Sequence, residues 1–325
     1  MMPLDLDSGL ARLGYASFRP GQREAILTLL ETGRLLLVAP TGGGKSLIYQ
    51  LPATLLPGTT LVISPLVSLM HDQVQALEAR GVAATFLAAT LSAEEMRERL
   101  KRLRAGGLKL AYVAPERLAY PGFRGLLRDL AVPLLAVDEA HCISEWGHDF
   151  RPDYLEIGAL VEELRPPRVL ACTATATPVV RDEILARLRL PPDTPQLVRG
   201  FARPNLGLRA RVFSPERERD REVDGLLAEA LGAPGAGRGT AIVYGPTRRS
   251  TEDEATRLAG RGWRTAAYHA GMNGRSRDAA QRAFMDGSLE VVVATNAFGM
   301  GIDRADVRAV VHLGPPGSVE AYYQE

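Results

Sequence analysis

"RLLLVAPTGGGKSLIYQLPA", residues 34–53, decides how the rest of the chain is read. An apolar run without a polar face gives way to Pro and three consecutive glycines, and an apolar stretch with helical spacing follows. That order predicts a strand buried on both faces, a tight loop and a helix. Backbone N–H groups in such a loop can wrap phosphate oxygens, and the helix N-terminus adds positive potential. Thr41, Gly42, Gly43 and Gly44 form the expected cradle, Lys45 reaches the β- and γ-phosphates, and Ser46 ligates Mg²⁺. The generic pattern has Gly where Ala39 stands, and a tight turn that happens to contain Lys is the alternative. Composition weighs against it. The only lysines are Lys45, Lys101 and Lys109, whereas every other basic residue is Arg. A compact ammonium suits this position and a forked guanidinium does not, so a lysine retained here fits the phosphate reading.

The same strand signature recurs at 60–65, 108–115, 133–140 and 168–174, with amphipathic helical stretches such as "SLMHDQVQALEAR" between. This rhythm predicts an α/β fold with a parallel sheet covered on both sides. It breaks at 189–205, "RLPPDTPQLVRGFARPN", which reads as an interdomain connection. A second series follows: "LGLRARVF", "TAIVYGP", "RTAAYHA", "LEVVVATN" and "VRAVVHLG". Two α/β lobes are expected, 1–199 and 200–325. Only the first has a phosphate loop, so one nucleotide in a cleft between lobes is expected, with closure of the second lobe reading out hydrolysis.

At 325 residues and 46% hydrophobic content, the chain can bury two cores. A net charge of +1 confines any nucleic-acid surface to a local patch. No apolar run approaches the ~20 residues of a membrane span, and from the first residues no export signal is expected. Cys142 and Cys172 are too few for a disulfide framework or a cysteine-rich zinc site, so no zinc is expected and a reducing interior fits best.

"AVDEAHCISEWGHDF", 136–150, joins two adjacent carboxylates to a Trp/His/Phe-rich segment. Asp138 ends a hydrophobic strand, where parallel sheets place their ligands, and is expected to hold Mg²⁺ through water. Glu139 is expected to orient or deprotonate the attacking water. Helix capping is the alternative for both acids.

Together these motifs resemble superfamily 2 helicases and, among them, the RecQ family. "YASFRPGQ" (15–22) is similar to motif 0, "APTGGGKSLIYQLPA" to motif I, "VISPLVSLMHDQV" to Ia, and "YVAPERL" to Ib. "AVDEAHCISEWGHDFRPDY" resembles motif II with the family's aromatic-rich loop, and "LACTATAT" resembles motif III. "AIVYGPTRRSTEDEA" resembles motif IV and "VVVATNAFGMGIDRADVRAVVH" motif V. The likeness covers nearly the whole chain in order, and the aromatic-rich loop is its most specific element.

The resemblance implies two RecA-like lobes and roles for further residues. Gln22 would read the adenine of ATP, Tyr15 would stack on the base and Arg19 would support the site; without the family, Gln22 is an exposed helix residue. His141, Thr173 and Thr175 would link the γ-phosphate to the interlobe surface. Trp146, His148, Phe150 and Arg151 would sense unpaired bases by stacking, which tolerates any sequence; core packing is the bland alternative for the aromatics. Gly301 and Asp303 of "FGMGID" would contact nucleic acid or ribose, while Phe298 and Met300 read equally well as core. Thr247 and Arg248 would lie near the nucleic-acid backbone, or simply start a solvated helix.

The implied activity is ATP-dependent DNA unwinding with 3′→5′ translocation in repair and recombination, using ATP and Mg²⁺ on single-stranded and forked DNA. A monomeric, cytoplasmic, nucleoid-associated core is expected. The family pattern continues past "SVEAYYQE" into motif VI with its arginine finger, so this polypeptide is expected to bind ATP but hydrolyse it poorly. An RNA helicase, a duplex translocase or an ATP-gated nucleic-acid-binding module are the competing readings.

Overall fold

The computed structural model describes residues 4–146, 149–200, 205–214, 216–296, 298, 304–318 and 321–322. The chain divides into two compact units, Met1–Ala202 and Arg203–Glu325.

In the first unit two helices, α1 (Leu6–Arg12) and α2 (Gln22–Thr32), precede β1 (Arg34–Val38) and α3 (Leu47–Leu55). Then come β2 (Thr60–Ile63), α4 (Val67–Glu78), β3 (Ala84–Leu87), α5 (Ala93–Arg104), β4 (Leu110–Val113) and α6 (Pro121–Arg128). β5 (Leu135–Val137), α7 (Glu156–Leu164), β6 (Val169–Thr173), α8 (Pro178–Arg187) and β7 (Gln196–Val198) complete it. The strands form one parallel sheet in the order β3-β4-β2-β5-β6-β1-β7.

Both-face burial explains the unbroken apolar runs. Leu36 and Val38 of β1 pack with Val169 and Ala171 of β6 on one side of the sheet. Leu35, Leu37, Leu170 and Cys172 point to the other. Side chains alternate across a strand, so a strand between two helical layers must be apolar at every position.

The second unit holds α9 (Glu216–Leu231), β8 (Thr240–Tyr244), α10 (Arg248–Gly260), β9 (Thr265–Tyr268), α11 (Gly274–Met285), β10 (Val291–Ala294) and β11 (Val307–His312). Its parallel sheet runs β11-β8-β10-β9. Phe298 is core: its ring meets Tyr268 and Phe284 at centroid distances of 4.7 and 5.5 Å.

Two sequence expectations need correction. "LGLRARVF" does not form a strand; residues 205–214 carry none, and Leu206, Leu208 and Val212 are exposed. Alternating Arg and apolar residues offer one sticky face, and no ladder partner among the described residues takes it up. Conversely, 189–205 is not wholly connection, because β7 lies inside it and pairs with β1 through Leu36↔Gln196 to Val38↔Val198.

Candidate nucleotide and strand-sensing site

β5, β6 and β1 are neighbours in the sheet, so their C-terminal ends lie side by side. β1 delivers the loop 39–46, β5 delivers Asp138 and Glu139, and β6 delivers Thr173 and Thr175. Residues about a hundred positions apart in sequence thereby meet on one edge, where parallel sheets place their ligands.

The loop conformation explains its glycines. A Cβ on Gly43 would sit 2.9 Å from the Pro40 carbonyl oxygen, and Gly44 has φ +73° with the Gln22 amide directly against it. Only Gly satisfies both constraints. Ala39 tolerates its Cβ because it simply continues the ladder, donating its N–H to Thr173 O at 3.0 Å. Lys45 Nζ donates to the Ala39 carbonyl at 3.0 Å and Ser46 precedes the first turn of α3.

Motif 0 is tied to this loop. Gln22 opens α2 and is only 6% exposed, so the exposed-residue alternative fails. Its Nε2 donates to Gly44 O at 3.1 Å and Gly43 O at 3.4 Å, and its Oε1 accepts the Arg19 N–H at 2.8 Å. The Arg19 guanidinium donates to the Gly42 carbonyl. Tyr15 stands apart, half exposed, with the Arg80 guanidinium 5.0 Å from its ring centroid.

Asp138 is 7% exposed. Its Oδ1 accepts the Glu139 N–H at 3.0 Å and the Cys172 thiol at 3.4 Å, while its backbone carbonyl accepts the Tyr154 hydroxyl at 2.9 Å. Burial, then the neighbouring Glu139 charge, pushes the Asp138 carboxyl up to about 6, and Lys45 pulls it back. A buried carboxylate beside a second one is what a divalent cation stabilises, so the residues fit a magnesium nucleotide. Neither Cys172 nor Tyr154 was singled out as part of this site by sequence. The only sequence signal for the thiol is its strand parity with Leu170 on β6.

Glu139 adopts a left-handed conformation, φ 46° and ψ 47°, rare for a residue with a Cβ. This turns its carboxylate toward His141, whose Nδ1 lies 3.3 Å from Glu139 Oε2 and 2.7 Å from Thr173 Oγ1. Thr173 donates its hydroxyl proton to Thr175 O at 3.2 Å, so it accepts from His141, which places the imidazole hydrogen on Nδ1. The Thr175 hydroxyl is buried with no hydrogen-bond partner among the described residues.

Beyond this edge the aromatic segment emerges. Trp146 is 77% exposed, which removes the core alternative for its ring, whereas Phe150 is half-buried. Arg151 donates from Nε and Nη2 to Asp149 Oδ2 at 3.1 and 2.9 Å and from Nη1 to Pro65 O at 3.2 Å. His141, Cys142 and Asp149 bring ligand atoms within 4.8 Å of one another. Arg151 pairs with Asp149 in this trio, and burial pushes the Cys142 thiol up.

In the second unit Thr247 caps α10: its Oγ1 accepts Ser250 N–H at 3.1 Å and the Ser250 hydroxyl accepts Thr247 N–H at 3.0 Å. Arg248 lies over Gly271, where a Cβ would come 3.0 Å from its Nη1 and 3.2 Å from His269 Nδ1. His148, Gly301 and Asp303 fall outside the described residues. Among the described residues no helix is long and apolar enough to cross a membrane.

The chain matches the DEAD/DEAH box helicase family over residues 19–183 and the helicase conserved C-terminal domain over 225–325. It is 44% identical over 314 residues to the ATP-dependent DNA helicase RecQ of Bacillus subtilis, covering 96% of this chain and 51% of that protein. Identity to the RecQ helicase of Pasteurella multocida is 42% over 321 residues, covering 98% and 49%. The chain thus spans about half the length of the curated relatives it matches. Among solved structures, Mycobacterium smegmatis helicase Lhr bound to ssDNA and AMP-PNP superposes with a TM-score of 0.69 at 23% identity, covering 98% of this chain and 45% of Lhr. The helicase MrfA bound to DNA and AMPPNP gives 0.73 at 18% identity, covering 98% and 47%. At those identities the likeness concerns the fold.

Proposed function

The chain belongs to the DEAD/DEAH box helicase family, in its RecQ branch, and from that membership we propose that it is the ATP-driven motor core of a DNA helicase. The observation that carries this reading is the shared edge of β1, β6 and β5. There Lys45, Asp138, Glu139, His141 and Thr173 converge, one short segment away from an exposed tryptophan.

Lys45 exchanges the Ala39 carbonyl for the β- and γ-phosphates of ATP, as a compact cation on a flexible stem is suited to do. Ser46, and Asp138 through water, would hold Mg²⁺, which would neutralise phosphate charge and favour the ionised form of Asp138. Glu139 orients or deprotonates the attacking water, and its left-handed backbone holds the carboxylate beside His141. His141 reports the state of Glu139 to Thr173, whose hydroxyl re-pairs at little energetic loss. Gln22 reads the adenine, Tyr15 stacks on the base and Arg19 supports the site, and Gln22 does so from a position that also touches the glycine-rich loop.

Trp146, with His148, Phe150 and Arg151, senses single-stranded DNA. Thr247, Arg248, Gly301 and Asp303 contribute from the second domain, the boundary lying near residue 200. Translocation runs 3′→5′ along one strand of forked DNA, from a monomeric core in the cytoplasm at the nucleoid; family membership alone supports these points. The family's motif VI with its arginine finger is not among these 325 residues, and slow hydrolysis by the 325-residue polypeptide itself is proposed on that ground.

The test is ATP hydrolysis by the full-length protein with and without single-stranded DNA. Lys45→Ala should abolish it in both conditions; hydrolysis that survives the substitution would overturn the site assignment.

A further inference from the structure

Between the catalytic edge and Trp146 stands one buried anchor. Ser144 follows the 3-10 turn Ala140–Ile143 and is fully buried. Its hydroxyl donates to Glu183 Oε2 at 2.5 Å and accepts the Trp146 N–H at 3.2 Å. The other Glu183 oxygen accepts from Arg187 Nε at 3.3 Å, and Arg187 Nη2 reaches Glu145 Oε1 at 3.0 Å. One carboxylate on α8 therefore grips Ser144 directly and Glu145 through an arginine.

α8 is also the element that leaves the catalytic edge. Thr173 ends β6, Thr175 lies in the loop that follows, and Thr177 caps α8 by accepting the Val180 N–H. A shift of the Thr173–Thr175 hydrogen bonds is thus delivered to a rigid helix, and Glu183 projects from that helix onto the segment bearing Trp146. The Arg187–Glu145 pair is exposed and screened, so it adds little. The Ser144–Glu183 bond is charge-assisted and shielded, with the Glu183 side chain only 15% exposed.

We propose that Glu183 is a positioning residue that couples the nucleotide state at His141 and Thr173 to the placement of Trp146, through α8 and Ser144. It touches neither ATP nor DNA. The proposal rests on the reading of Trp146 as a strand sensor, and the experiment separates the two.

In the full-length protein Trp263→Phe reduces the tryptophans of these 325 residues to Trp146; any tryptophan elsewhere in the polypeptide is changed to Phe as well. In that background the Trp146 emission change on adding AMP-PNP, and DNA-stimulated hydrolysis, are measured for Glu183→Ala, Glu183→Gln, Ser144→Ala and the Glu183→Ala/Ser144→Ala pair. Stimulation should fall about tenfold in each alanine variant, the scale of one charge-assisted hydrogen bond, with the pair no worse than either. Basal hydrolysis, measured below the melting temperature, should stay near that of the parent, the melting temperature should fall by only about a few degrees, and the emission change should vanish. Glu183→Gln, which keeps an acceptor for Ser144, should lie between. Unchanged stimulation in Glu183→Ala, basal hydrolysis falling in parallel, or additive losses in the pair would overturn the proposal. If Glu183→Ala fails to fold, Ser144→Ala and Glu183→Gln decide alone. A Trp146→Ala variant that keeps full stimulation would instead reject the strand-sensor reading.

Discussion

Gln22 donates its side-chain amide to the Gly44 carbonyl at 3.1 Å. The residue expected to read the adenine is therefore bonded to the loop expected to hold the phosphates, with the same amide's oxygen on the Arg19 N–H. On the proposed reading, base recognition and loop conformation share one side chain. Gln22→Ala should weaken ATP binding about tenfold, the worth of a lost buried hydrogen bond or two, and bring GTP close to ATP in competition titrations. An unchanged ATP/GTP preference would separate the loop contact from base reading.

Asp138 makes a pH prediction whose sign is fixed by its environment. Its carboxyl is raised from 3.8 to about 6. The folded state thus binds this proton more tightly than the unfolded chain does, so the ligand-free protein loses stability as pH rises between those values. Asp138→Asn should melt higher than the parent at pH 7, with the difference shrinking as pH falls from 6 to 4, while hydrolysis is lost. Melting curves across that range check it; a difference independent of pH would contradict the assigned environment.

Trp146 exposes 77% of its surface beside the catalytic edge. Stacking on a base contributes ~1–3 kcal/mol, so Trp146→Ala should lower affinity for single-stranded DNA by about ten- to a hundredfold and remove its stimulation of hydrolysis. Nucleotide affinity measured without DNA should not move.

Thr247 separates a structural duty from a ligand contact. As the cap of α10, its replacement by Ala should cost about 1 kcal/mol in denaturant unfolding, whereas Ser should restore most of it. Arg248→Ala should leave stability alone and flatten the salt dependence of DNA binding by about one unit of slope if the guanidinium meets a phosphate. Identical salt slopes would remove Arg248 from the DNA surface.

The loop 39–46, the Asp138–Glu139 pair and the Trp146 segment were legible because each is a local event. A both-face apolar strand followed by Gly-Gly-Gly-Lys-Ser already contains the turn, the charge and the helix start. Gln22 was harder: its sequence neighbourhood reads as an exposed helix, and only the approach of α2 to Gly43 and Gly44 buries it. The "LGLRARVF" segment misled because alternation marks a surface able to pair, while pairing needs a free strand edge at the right place.

By itself the sequence determined two parallel α/β units, a glycine-rich loop bearing Lys45 in the first and an acidic pair at a strand end. Tertiary structure alone decided that β5 and β1 flank β6, through Leu35↔Leu170 and Ala136↔Leu170, so that Thr173 and His141 fall between Lys45 and Glu139. It also decided that Cys172 and Tyr154 serve Asp138, and that Glu183 reaches Ser144. The physical reason is that interior strands are all apolar on both faces. Their composition says that they are buried, but their order in the sheet follows from how helices of particular length and bulk pack across them.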